Sequence, residues 1–165
     1  MTTTDTGQLR RELLLAQAIG CQMDTLVGYA NDAAYILKDY PKMESSQLRN
    51  LVNVAQESRS VEVTINFIRY QIGRKSDEWG KGSNGFGHHV ITFLQDSLQT
   101  LVNDVIAKLP QEIGANPTDS GLRNEVIAQM MRLYLGFLVR AFTFAKKTNG
   151  FDQLKAMTKK EGGRP

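Results

Sequence analysis

Cysteine is almost missing from this chain: Cys21 stands alone among 165 residues. One thiol excludes a disulfide framework and a thiolate metal site. Its neighbours Ala18, Ile19 and Met23 suggest that Cys21 is a small hydrophobe in a core, which suits a reducing cytoplasm. The start, Met1 to Gly7, lacks the basic and apolar regions of a secretory signal. No run approaches the roughly 18 uninterrupted apolar residues of a membrane span. The best candidate is interrupted by Arg132 and Arg140. Strand-period alternation is lacking, and so is any repeat of fixed length. A charge content of 22% with 41% hydrophobic residues is that of a globular domain, and the length suits one domain with its own core.

Catalytic motifs are lacking too. His88 and His89 are adjacent, so on a helix they point about 100° apart and cannot share one metal as an i, i+4 pair does. His89 shares its face with Phe93 and Asp96, one carboxylate only. Gly80-Lys81-Gly82-Ser83 resembles a phosphate loop, but a Walker loop ends Gly-Lys-Ser/Thr after a strand. Here Gly82 holds the Ser/Thr position and no strand precedes it. No Ser or Cys nucleophile has a base nearby in sequence. The expectation is a protein without catalytic residues, metal or cofactor. A small helical enzyme using His88 or His89 with Asp96 is the weakest alternative.

What is present is a long helical pattern from Asp119 to Thr148. Between Glu125 and Ala145 the polar or glycine positions are Glu125, Gln129, Arg132, Gly136, Arg140 and Thr143. They step by three or four and fall within an arc of roughly 80°. All other positions in that window are apolar or Tyr, which predicts a central helix covered on several sides. Asp119 or Ser120 is expected to cap it, and Asn149-Gly150 to end it.

Around this helix the chain reads as an all-α, single-domain bundle of about five helices over residues 8–150. Residues 1–7 are expected to be disordered, and 151–165 to form a basic, largely disordered tail with room for one helical turn from Phe151. From Gln8 to about Tyr40 one seam runs through Leu9, Leu13, Ala16 and Ile19, then Met23, Val27, Ala30, Ala34 and Leu37. Gly20 and Gly28 can bend or split it, and Pro41 ends it. A serine after Glu44 is expected to cap the next helix, with a break near Glu57-Ser58 and a further helical stretch from Arg59 to Gly73. Ser76 to Gly87, with four glycines in its last eight residues, is expected to be a mobile loop. A helix is expected next, from about Phe86 to Leu109, with Val90, Leu94, Leu98, Leu101, Val105 and Leu109 on one face.

Charge is unevenly placed. Residues 1–120 hold 11 Lys and Arg against 14 Asp and Glu, and residues 121–165 hold 9 against 3. The first part is therefore −3 and the second +6, which points toward a polyanion. Arg49, Arg69, Arg74, Lys75, Arg132, Arg140, Lys146 and Lys147 lie on or beside predicted helices, and Lys81 lies in the glycine-rich segment. Arginine suits phosphate because its guanidinium fork donates bidentately. Gly136, between Arg132 and Arg140, would let a backbone approach. The structural alternative pairs these arginines with Glu62, Asp96 or Glu125.

Three blocks occur in order: Glu44-Ser-Ser-Gln-Leu-Arg49-Asn-Leu51, Asn66-Phe-Ile-Arg69-Tyr70-Gln-Ile72-Gly73-Arg74, and Leu138-Val-Arg140-Ala-Phe142-Thr-Phe144-Ala-Lys146-Lys147-Thr-Asn-Gly150. Over roughly Ala33 to Gly150 they resemble the small subunit of type III CRISPR–Cas effector complexes, the Csm-type most, with the Cmr-type as a sibling. The resemblance implies a non-catalytic helical bundle in the cytoplasm. Several copies would stack along the effector filament beside the other effector subunits. Basic faces would line the channel that holds guide RNA and target RNA. It places Arg49, Arg69, Arg74, Arg140, Lys146 and Lys147 among the RNA contacts. Arg132, Lys75 and Lys81 join them from stripe geometry and loop composition. The Ser76–Gly87 segment is long for the family, and Lys146-Lys147 stand where many members carry a Tyr-His-Lys type sequence. The alternative of another class is a helical adaptor that binds only protein.

Overall fold

The structure is a computed structural model and describes residues 3–114 and 120–158. Among the described residues every regular element is helical, so the chain is all-α. The longer helices are α1 (Thr3–Gly20), α2 (Met23–Ile36), α3 (Ser45–Ser58) and α4 (Val61–Arg74). A single turn, α5 (Ser76–Trp79), precedes α6 (Phe86–Thr92) and α7 (Leu98–Lys108), and another, α8 (Gln111–Gly114), comes after them. The chain finishes with α9 (Ser120–Thr148) and α10 (Phe151–Thr158). These segments outnumber the expected five because the chain turns at places where the apolar pattern runs on.

Cys21-Gln22, just past Gly20, separates α1 from α2, whereas Gly28 stays inside α2. Tyr40 leaves helical geometry (φ −123°, ψ 69°) just before Pro41. The cap of α3 is Glu44 rather than a serine: the Gln47 side chain accepts from the Glu44 N–H at 3.2 Å. Arg59 ends α3 in the left-handed region (φ 53°). Ser60 then caps α4, its hydroxyl accepting from the Val63 N–H at 3.2 Å. Asp119, the other candidate cap of α9, lies outside the described residues.

α9 is the centre. α2, α3, α7 and α10 all pack against it. Val126, Met130, Met131, Tyr134, Leu135, Leu138, Phe142 and Ala145 are buried to 1% exposure or less. By length and composition α9 could cross a bilayer; in this fold its apolar surface is spent on neighbouring helices. Phe93 stacks on Tyr134 with centroids 3.7 Å apart. The Tyr134 hydroxyl is buried and has no protein partner among the described residues, and burial pushes its ionisation far up.

A π turn, Phe93–Ser97, joins α6 to α7. An extra residue in a turn rotates the residues after it by roughly 100° relative to an uninterrupted helix. Without it, Leu98, Leu101, Val102 and Val105 would centre about 100° away from the face set by Phe86, Val90 and Phe93. With it, both halves bury their apolar residues in the same core.

Five expectations are corrected. Residues 3–7 are helical, as the first turns of α1. The α1 seam is wrong in phase: Leu15, Ala18 and Ile19 are buried, while Leu9 and Leu13 are 61% and 58% exposed. Cys21, two residues beyond Ile19, is consequently exposed rather than core. The Ser76–Gly87 segment is partly core: it holds α5, and Trp79, Gly80, Gly85, Phe86 and Gly87 are buried. Trp79 meets Phe67 edge-on at 6.5 Å and Phe86 at 5.5 Å. Losing such a ring costs about 3–5 kcal/mol, more than the roughly 1 kcal/mol a glycine costs a helix. Residues 151–158 form α10, with Leu154 buried against the bundle, so the tail begins later than expected.

Two glycines of opposite environment make a paired test. A Cβ at Gly87 would stand 2.6 Å from Ile72 Cγ1, so Gly87→Ala is expected to lower stability by about 1–3 kcal/mol. Gly28 has open space around it, and Gly28→Ala should raise stability by up to about 1 kcal/mol. Urea melts of both variants check the two signs. Tyr134→Phe removes the partnerless hydroxyl, and a gain of about 1 kcal/mol is expected in the same melts.

Candidate nucleic-acid interface

The polar stripe of α9 does not face open solvent along its whole length. α3 lies beside it, antiparallel. At one end the hydroxyls of Ser45 and Thr143 share a hydrogen bond at 3.1 Å. At the other, Ala55, Gln56 and Arg59 line a groove of about 650 Å³ with Glu125, Ala128, Gln129 and Arg132. Ser45, Arg49, Val52, Gln56 and Arg59 step by three or four, so they form one stripe of α3. The register fixed by the two ends sets Arg49 beside Arg140 and Val52 across from Gly136. Gly136 has open space where a side chain would begin. The two facing stripes make a polar track about 21 Å long, at 1.5 Å per residue.

Four arginines border that track: Arg49, Arg59, Arg132 and Arg140. All four are exposed, and among the described residues none has a carboxylate within 4 Å. The one acid in the track, Glu125, pairs with Arg11 at 3.0 Å. The alternative that pairs these arginines with Glu62, Asp96 or Glu125 finds no such pair among the described residues. The uncompensated positive charge leaves a track suited to a phosphate backbone.

The other sequence candidates lie elsewhere. Arg69 and Arg74 are on the exposed face of α4, and α3 packs between α4 and α9. Lys75 ends α4, and Lys81 is exposed in the turn after α5. Lys147 is exposed at the end of α9. Lys146 is engaged: it pairs with Glu44 at 3.0 Å and donates to the Met43 carbonyl. It borders a separate cavity of about 400 Å³ with Lys38, Phe142 and Asp152. Arg49, Arg132 and Arg140 are thus brought together, whereas Arg69, Arg74, Lys75, Lys81, Lys146 and Lys147 are not joined to them. Arg59 was missed because the sequence assigns it to the following helical stretch, whereas it ends α3. The spacing 45, 49, 52, 56, 59 carried the signal.

The weakest alternative, an enzyme using His88 or His89 with Asp96, meets a different arrangement. Asp96 is exposed in the π turn. The acid whose charge reaches His89 is Asp32 of α2. Burial lowers the His89 value from the ordinary 6.5, partly countered by Asp32. Burial also raises Asp32, partly countered by His89. Among the described residues no three His, Cys, Asp or Glu side chains gather as a metal set. Comparison with protein-family models, with curated proteins and with solved structures finds no match.

The two shifts have opposite consequences for folding. A histidine harder to protonate when folded contributes stability that is full above its ordinary value and is lost as pH falls through it. Asp32, raised, favours the folded state increasingly only as pH falls into the lower carboxylate range. The melting temperature is therefore expected to decline from about pH 7.5 to about pH 5.5, and His89→Gln to flatten that decline. A wild-type profile already flat there would refute the assignment.

Proposed function

We propose that this chain is a non-catalytic small subunit of a type III CRISPR–Cas effector complex. It works in the cytoplasm without a cofactor. Several copies line up along the filament, next to the other effector subunits, and touch the backbone of guide and target RNA. The observation that carries this reading is the α3–α9 track, with Arg49, Arg59, Arg132 and Arg140 unpaired along it. Contacts to phosphate position RNA without reading its sequence. That is what a guide-directed complex needs, since base pairing reads the sequence and protein reads backbone and shape. A weak patch on each copy suffices when copies align, because linked sites multiply modest affinities.

A protein-only adaptor is the second reading. It is favoured by α1, where Leu9 and Leu13 face solvent at 61% and 58% exposure. Such a stripe also suits contact with a neighbouring copy or another subunit, so the two readings separate at the arginines rather than at α1.

Fluorescence anisotropy with labelled RNA across a salt series tests the proposal. Four arginines on phosphates imply a slope of log K against log salt near −3. The triple variant Arg49→Ala, Arg132→Ala, Arg140→Ala should fold, by circular dichroism, and bring the slope to about −1. Binding that ignores salt, or a folded triple variant that binds as wild type, would overturn the reading.

A further inference from the structure

The exposed half of α4 carries a feature that the α3–α9 track does not use. Tyr70 is 58% exposed, with Arg69 before it and Arg74 one turn after. A ring that exposed leaves most of its apolar surface in water. It is also held in place: the Arg74 guanidinium lies over it, 5.9 Å from the centroid, and donates to the hydroxyl at 3.4 Å. These two contacts restrain the ring on its exposed side. Beside it, Gly73 has nothing within 4 Å of where a side chain would begin, so a flat group can approach. Asn66, one turn before Tyr70, is exposed and offers both an amide donor and an acceptor. Among the described residues neither Arg69 nor Arg74 has a carboxylate within 4 Å. The nearest acid on this face, Glu62, is about 10 Å along the helix from Arg69.

An exposed aromatic restrained by one guanidinium and flanked by a second, neither facing a carboxylate among the described residues, matches the needs of one ligand: an unpaired base with its two phosphates. We propose that Tyr70 is a stacking platform for a base of single-stranded RNA, with Arg69 and Arg74 taking the adjoining phosphates. This rests on the RNA-binding reading above and adds to it a second, strand-selective contact. Any base has a face to stack, so the platform tolerates sequence. A duplex keeps its bases stacked inside and offers the ring nothing. The α3–α9 track has no aromatic residue on its facing stripes and treats both forms by their phosphates.

The test compares a labelled uridine strand of about 12 nucleotides with a duplex of equal length, by anisotropy at low salt. Tyr70→Ala should weaken single-strand binding about tenfold and leave duplex binding within about twofold. Tyr70→Phe keeps the ring but loses the hydroxyl that Arg74 holds; it should bind the single strand clearly tighter than Tyr70→Ala does and bind the duplex as wild type. Circular dichroism checks the fold, which an exposed position is expected to preserve. Equal loss on both forms, or no loss on either, would overturn the platform. In the second case, salt-sensitive duplex binding abolished by the track variant would leave the wider RNA reading standing. Wild-type protein that binds neither form overturns both, and binding of a partner protein lost in Tyr70→Ala would mark this face as a protein contact.

Discussion

α9 has six polar or glycine positions among the twenty-one from Glu125 to Ala145, all on one narrow arc. The remaining circumference must be taken out of water. No single neighbour can do this, because one helix covers only a stripe of another. Hence α2, α3, α7 and α10 surround α9, and the order of the whole bundle comes from their need to share one cylinder. The same constraint shapes the surface. A narrow arc leaves α3 close to the edge of the polar stripe, so the groove between them is bordered by the polar stripes of both helices. Burial on one side of α9 and charge on the other are products of one pattern.

That pattern explains what could be read from the chain alone. α9 was legible because fifteen apolar positions outvote six others and allow only one phase. α1 was not, because Leu9 and Leu13 compete with Leu14, Leu15, Ala18 and Ile19 for the buried side. Contact with α7 and the Arg11–Glu125 pair to α9 decide between them, and the losing phase leaves Leu9, Leu13 and Cys21 in solvent. The glycine-rich segment misled for a related reason. Its composition speaks for a loop, but Trp79 provides a buried anchor, and local preference yields to tertiary packing. Gly87 is small because Ile72 already occupies the space beside it. Residues 151–158 looked like a tail because eight residues show too little periodicity to reveal that Leu154 has a place against α2 and α9.

The candidate site was legible in parts. Arg132 and Arg140 emerged from the stripe of α9, and Arg49 from the serine-started helix. Their convergence did not, because it depends on α3 and α9 running antiparallel in one register, which Ser45 and Thr143 fix at one end. Arg59 belongs to the same stripe but takes a left-handed backbone, and from sequence it reads as the start of the next helical stretch. Lys146 illustrates the converse. It looked like a phosphate ligand by composition, and the fold gives it Glu44 and the Met43 carbonyl instead. Positive charge near a helix end becomes a binding group only if the fold leaves it without a partner.

The π turn between α6 and α7 has a consequence for how the chain tolerates changes in length. Its five residues include Gln95 and Asp96, both exposed. Removing one of them would return the turn to ordinary helical geometry while keeping the flanking halves on their common face. The same deletion one turn further on, at Thr100, would swing Leu101, Val102 and Val105 out of the core by about 100°. The helix thus carries a spare residue at one place only, where a one-residue difference between related chains could be absorbed without repacking.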